Sequence, residues 1–249
     1  MIKKLKSFMT DHLHIDLNRS SQTKNSYYTE LLETFDRDQC VICKLLKITV
    51  VKYLENLLHE FTMDPVSRRE IREAFGYCEK HTAQLIEVTK NTNQRLSASI
   101  VAEDLANHFL RQCRRFFKGG TGKSRTWKSG TGMVIDVFKK RNSCPICKYY
   151  STHEKMYVSE FSKGSAGEEF LEKFVENSGI CIEHLFKVSR IIKDPAALRK
   201  ILEPQMAVIE EIDLELNDFV KKFDHKSSEK ITDTEASAWI RLFNRINST

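Results

Sequence analysis

The chain has 249 residues, 41% hydrophobic, 30% charged and 10% aromatic. That balance excludes a disordered tail, and no run approaches the ~18 consecutive apolar residues of a membrane span. Forty Lys and Arg against 34 Asp and Glu leave +6, too mild alone to indicate nucleic acid, while only nine Gly and four Pro favour long helices in one large domain or two small ones.

In chain order, the start MIKKLKSFMTDHLHIDL is basic but has no uninterrupted apolar segment and no small-residue cleavage site. It does not read as a secretory signal, so a cytoplasmic protein with reduced thiols is expected. Residues 1–27 read as an N-terminal arm, polar from Asn18 to Ser26. A first unit, 28–94, opens with Cys40 and Cys43 in CVIC. Leu46, Val50, Tyr53, Leu54, Leu57, Leu58 and Phe61 then recur at three- and four-residue steps, the period of a core-facing helix. Asp64 and Pro65 suit the N-cap and first position of a short helix, and Gly76 a left-handed C-cap before CEKH, with Cys78 and His81.

Residues 95–141 carry a bridging helix (Ile100, Val101, Leu105, Phe109, Cys113, Phe116, Phe117) and a Gly-rich joint. Cys113 lies on the apolar stripe of that helix and reads as a core thiol. The second unit, 142–193, has Cys144 and Cys147 in CPIC, a long helix from Lys148 to Phe161, then Phe170, Leu171, Phe174 and Val175 ahead of Gly179, and Cys181 with His184 in CIEH. Residues 194–249 hold C-terminal helices, one with Ile209, Ile212, Leu216, Phe219, Val220 and Phe223, and another with Ala236, Trp239, Ile240, Phe243 and Ile246 behind a capping box of Thr232 and Glu235. No alternating strand pattern competes, so the expected fold is all-α and pseudo-twofold.

The two units are one pattern written twice. The CxxC pairs are 104 residues apart, the CxxH pairs 103, and GYCEKH aligns with GICIEH, which marks a duplication. Three thiolates and one imidazole suit zinc, with an iron–sulfur cluster as the alternative. The spacing pairs each CxxC with the CxxH of its own unit, so that Cys40, Cys43, Cys78 and His81 hold one ion and Cys144, Cys147, Cys181 and His184 another, each clamping the ends of a helical hairpin. Free N–H groups and the dipole at the start of each CxxH helix favour thiolate charge. Four protein ligands leave no open position for water, so these sites read as structural, Glu183 reads as a solvated helix residue, and an enzyme is not the favoured reading.

These residues resemble an uncharacterised prokaryotic family whose members carry CPxC or CxxC, a long helix with a YLxxLLxE-like segment, a helix started by Asp-Pro, and GxCxxH, the whole repeated. Cys40, Cys43, Tyr53, Leu54, Leu57, Leu58, Glu60, Asp64, Pro65, Gly76, Cys78 and His81 fit the first unit; Cys144, Pro145, Cys147, Gly179, Cys181, His184 and Leu185 fit the second. The resemblance covers about residues 38 to 190 and implies a helical metal-binding protein without supplying an activity. CVIC lacks the proline of CPxC, and the Gly-rich insert is not part of the pattern.

Between Arg111 and Arg141 stand Arg111, Arg114, Arg115, Lys118, Lys123, Arg125, Lys128, Lys139, Lys140 and Arg141 against the single acid Asp136, a net +9 that exceeds the charge of the whole chain. With Trp127 available to stack on bases, the stretch suits nucleic acid or another polyanion. A solvated basic face and a dock for an acidic protein are the alternatives. Residues 118–124, KGGTGKS, match a deviant phosphate-loop string and make a nucleotide-binding enzyme a further alternative, but such a loop follows a strand and this one follows a predicted helix, so a flexible basic linker is favoured. His12, His14, His59, His108, His153 and His225 have no ligand-spaced partners and read as ordinary surface or core residues.

Overall fold

The computed structural model of the chain describes residues 26–35, 39–119, 144–177, 179–223 and 229–246. Among the described residues there are ten α-helices and no strand. They are α1 (Ser26–Thr34), α2 (Val41–His59), α3 (Pro65–Glu73), α4 (Glu79–Thr92), α5 (Arg95–Gly119), α6 (Pro145–Gly164), α7 (Glu168–Asn177), α8 (Ile182–Ile191), α9 (Pro195–Lys222) and α10 (Asp233–Ile246). No described helix is long and apolar enough to cross a membrane.

Local chemistry sets the helix starts. Asp64 accepts the Ser67 N–H at 2.7 Å with Pro65 in the first helical position, as the sequence implies. The capping box before α10 closes in both directions: Glu235 N–H donates to Thr232 Oγ1 at 3.2 Å, and Thr232 N–H donates to Glu235 Oε2 at 2.9 Å. A second Asp-Pro pair, Asp194 and Pro195, starts α9 with the Asp194 carboxylate accepting from Ala196 and Ala197 N–H. This helix therefore begins well before the Ile209 stripe and runs through Pro204, whose missing N–H costs it one interior hydrogen bond. Helix α1 is absent from the elements predicted above. It forms because Tyr27, Tyr28, Leu31 and Leu32 share a helical face, with Leu31 fully buried and the others packed on the same core.

The two long CxxC helices, α2 and α6, pack antiparallel. Thr49 Oγ1 lies 3.3 Å from Tyr157 OH, and four residues further along α2 the Tyr53 ring meets Tyr149, eight residues back on α6, at 4.6 Å between centroids. The first half of α2 (Val41, Ile42, Leu45, Leu46) joins Tyr157, Val158 and Phe161 of α6 in one core, completed by Phe170 and Phe174 of α7 and Val188 of α8. The second half of α2 (Val50, Leu54, Leu58) meets Ile146 at the start of α6 and Val88 of α4 in another. A third small core joins Leu57, Ile71 and Val101, where α3 sits on α5.

The apolar stripes of α9 and α10 are covered only in part: Ile212 and Ala238 are buried, whereas Val220, Phe223 and Trp239 are more than half exposed. Cys113, expected in the core, is half-buried, and Phe109 on the same stripe is exposed.

Gly76 and Gly179, each two residues before a CxxH cysteine, have φ of +93° and +108°. Gly76 N–H closes the end of α3 on Ile71 O at 2.9 Å. Around Gly179 there is also no room: an added Cβ would lie 2.7 Å from Gln205 Oε1, which accepts the Ile180 N–H, and 2.9 Å from the buried Arg245 guanidinium. Gly179→Ala is expected to destabilise the chain by about 1–3 kcal/mol, through positive-φ strain plus displacement of a buried contact, read as a lower midpoint in urea.

Candidate metal centres

All four cysteine-bearing motifs sit at helix starts. Cys40, Cys78, Cys144 and Cys181 are the N-cap residues of α2, α4, α6 and α8, and each motif's second ligand lies within the first turn. None of these caps is made by a side-chain hydrogen bond. The sulfurs therefore stand in the positive field of the helix ends.

The ligands form two groups of four, each with all four donor atoms within 4.8 Å of one another. The eight residues are those the sequence singles out, but the grouping differs. Cys40 and Cys43 meet Cys181 and His184, while Cys78 and His81 meet Cys144 and Cys147. Each group takes its CxxC from one unit and its CxxH from the other, so the expected pairing within units is overturned. The physical reason is the length of α2. Its 19 residues span about 28 Å, and the 9-residue α3 packs on α5 rather than returning along α2. Cys78 thus lands beside Val50, Leu54 and Leu58 in the far half of α2. Antiparallel α6 delivers Cys144 and Ile146 to the same place.

In the Cys40 group the Nδ1 of His184 lies 3.4, 3.3 and 3.1 Å from the sulfurs of Cys40, Cys43 and Cys181, and Cys43 and Cys181 are 3.7 Å apart. In the Cys78 group the Nδ1 of His81 lies 3.1, 3.5 and 3.3 Å from Cys78, Cys144 and Cys147, with Cys78 and Cys147 3.6 Å apart. The first group is closed off, with Cys40, Cys181 and His184 buried; the second leaves Cys147 exposed.

Without an ion the clustered sulfurs compete for protons. Burial raises Cys40, but hydrogen bonds from Cys181 and Cys43 outweigh it and hold it well below the ordinary thiol range. Hydrogen bonding to Cys181 and Cys40 drives Cys43 upward in return. In the other group burial opposes, but the His81 N–H and the neighbouring thiols lower Cys78. Burial, with Cys78 and Cys144 behind it, pushes Cys147 up to about 12. A divalent ion reverses this competition by stabilising every thiolate at once.

The outer surroundings differ between groups. Nε2 of His184 lies 3.3 Å from Glu154 Oε1, off the line of a straight hydrogen bond, and Lys187 Nζ holds the same oxygen at 2.9 Å. Proximity to His184, then Lys187, keeps the Glu154 carboxyl at about 2. His184 itself is raised: burial works against the charged ring, but Cys181 and Glu154 outweigh it. A carboxylate thus stands behind the imidazole whose Nδ1 faces the thiols, the position from which such a group orients a metal-binding ring. The corresponding residue of the first unit is Val50, buried in the core, which offers His81 no carboxylate. Burial, then Lys80, lowers His81. Glu154→Gln is expected to weaken metal at the Cys40 group by about 10–100-fold while sparing the Cys78 group, measured by competition with a coloured chelator. Glu183 is half-exposed and pairs with Lys187 at 2.9 Å, the solvated role expected of it.

A model of a family of unknown function, DUF6062, matches residues 23–249. The chain belongs to this family. It is also 25% identical over 215 residues to the "Uncharacterized 23.9 kDa protein in xynA 3'region" of Caldicellulosiruptor sp. (strain Rt8B.4), covering 84% of this chain and 95% of that protein. No solved structure matches it.

Of the basic stretch, Arg111 and Arg114 are exposed on α5, whose backbone continues to Gly119. The side chains of Arg115 and Lys118, and the whole of Lys123, Arg125, Trp127, Lys128, Lys139, Lys140 and Arg141, lie outside the described residues. KGGTGKS begins within α5, so a helix precedes it, as the sequence suggests, where a phosphate loop needs a strand.

Proposed function

We propose that this DUF6062 protein is a zinc-clamped helical scaffold whose basic stretch, Arg111 to Arg141, engages a polyanion, with single-stranded nucleic acid the favoured form. The observation that carries the metal reading is the size of the two donor sets. Around one tetrahedral zinc, with sulfur at about 2.3 Å and nitrogen at about 2.0–2.1 Å, ligands stand about 3.8 Å apart for S···S and about 3.5 Å for S···N. The six S···N edges are 3.1–3.5 Å, the Cys43–Cys181 and Cys78–Cys147 edges are 3.7 and 3.6 Å, and no two donors of a group lie more than 4.8 Å apart. Several irons with their sulfides would spread the same thiolates further than one ion does. Bound zinc would supply charge neutralisation and a rigid four-way junction; with four protein donors present, the residues provide no place for a substrate.

Elemental analysis of anaerobically purified protein tests the metal. Two zinc per chain and no visible absorption are expected, and a brown, iron-rich protein overturns the reading. The partner is argued from charge. The +9 stretch continues from the exposed Arg111 and Arg114, and contacts of this kind release counterions, so binding is expected to weaken steeply with salt and to show little sequence preference. A mobility shift with single-stranded RNA or DNA, abolished by joint replacement of Arg125, Lys128, Lys139 and Lys140 with Ser at unchanged metal content, checks it. No shift at low salt overturns it and favours an acidic protein instead.

A further inference from the structure

A cleft of about 230 Å³ opens between α1, α2 and α6, and none of the eight clustered Cys and His residues lines it. Its floor is buried: Leu45 and Thr49 of α2 with Tyr157 of α6. Its walls are aromatic, with Tyr27, Tyr149 and His153, and its rim carries the exposed Glu33 and Lys52. Glu30 stands half-buried in the wall, accepting the Tyr157 hydroxyl at 2.5 Å through Oε2. The rings are held rather than loose: Tyr27 meets Tyr157 edge-on at 4.9 Å, Tyr27 OH lies 3.0 Å from His153 Nδ1, and Tyr149 packs on His153 at 4.2 Å.

We propose that this cleft binds a small organic ammonium ion, with the tyrosine rings forming its wall and Glu30 and Glu33 supplying the opposing charge. Three observations converge on that class. Phenol rings present negative faces that attract an alkylated cation at low desolvation cost, the basis of aromatic cages. Two carboxylates outnumber the one lysine, and among the described residues no ion pair engages Glu30, Glu33 or Lys52, so the acidic charge is not cancelled by contact. The volume lies below the ~300 Å³ at which drug-sized pockets begin, which suits a headgroup rather than a nucleotide. The environment agrees: burial, then Glu30, raises Tyr27, and burial, opposed by Glu30, lowers His153.

The reading is independent of the metal and of the basic stretch. Choline chloride, titrated into the full-length protein as purified and followed by the tyrosine ring resonances, is expected to give saturable shifts with a dissociation constant on the order of 1 mM. Its uncharged carbon isostere, 3,3-dimethylbutan-1-ol, is expected to bind at least about tenfold more weakly, since only the cation gains the ring and carboxylate terms. Glu30→Gln should weaken choline by about tenfold. Lys52→Met, on the exposed rim where folding is not at stake, should tighten it. Equal binding of the alcohol, absence of a saturable shift, or loss of binding in Lys52→Met would each overturn the proposal; the last would mark an anion site.

Discussion

Replacing Cys40 and Cys181 together with Ser is expected to remove one metal ion per chain, and replacing Cys40 and Cys78 together to remove both. Pairing within the repeated units predicts the reverse, so elemental analysis of the two double variants separates the arrangements without a structure. The expectation follows from the ligand sets themselves. Cys40 and Cys181 belong to one group and Cys78 to the other, and loss of one thiolate from a four-ligand site sacrifices most of its affinity. Cys40→Ser with Cys78→Ser should also be the less stable pair, because both junctions between the two halves of the sequence are then cut.

The composition of these sites was legible from spacing alone: eight ligands, two histidines, each motif opening a helix. Which motif meets which was not, although the information was present. An uninterrupted apolar period from Leu46 to Phe61 already implies a rod too long for the following short helix to retrace, so Cys78 had to stay far from Cys40. A count of residues between half-sites does not register the ångströms a helix spans. Helix α1 was missed for a different reason. Its Tyr27, Tyr28, Leu31 and Leu32 form barely two turns, which carry no signal until α2 and α6 supply a surface to cover. Glu154 was invisible because its partner, His184, is thirty residues away and the two approach only when α6 and α8 pack. The C-terminal stripes misled in the opposite direction: periodicity correctly gave α9 and α10, but not how much of each stripe finds cover.

Chelation is expected to unfold the protein in one transition rather than to loosen one hairpin at a time. Each donor group joins a helix start from residues 40–81 to one from residues 144–184, so neither half contains a complete site. Three ligands, Cys40, Cys181 and Cys144, are themselves core residues, buried among the side chains that hold α2 to α6, α7 and α8 and α2 to α4. Structural zinc contributes apparent binding energies of about 10–16 kcal/mol, against a total stability of about 5–15 kcal/mol for an ordinary domain. Loss of even one ion is therefore comparable to the whole margin. Acid should act through the same route. Cys43 and Cys147 sit above the neutral range when no ion is present, so loading at pH 7 must expel their protons, at least one from each group. Metal affinity then falls as pH falls, and the stability it confers is present at neutral pH and lost on acidification. Proton release on loading, read with an indicator dye in weak buffer, and melts with and without chelator at two pH values check both statements. Two separate transitions after chelation, or a melt indifferent to it, would show that the cysteines serve the core without a metal.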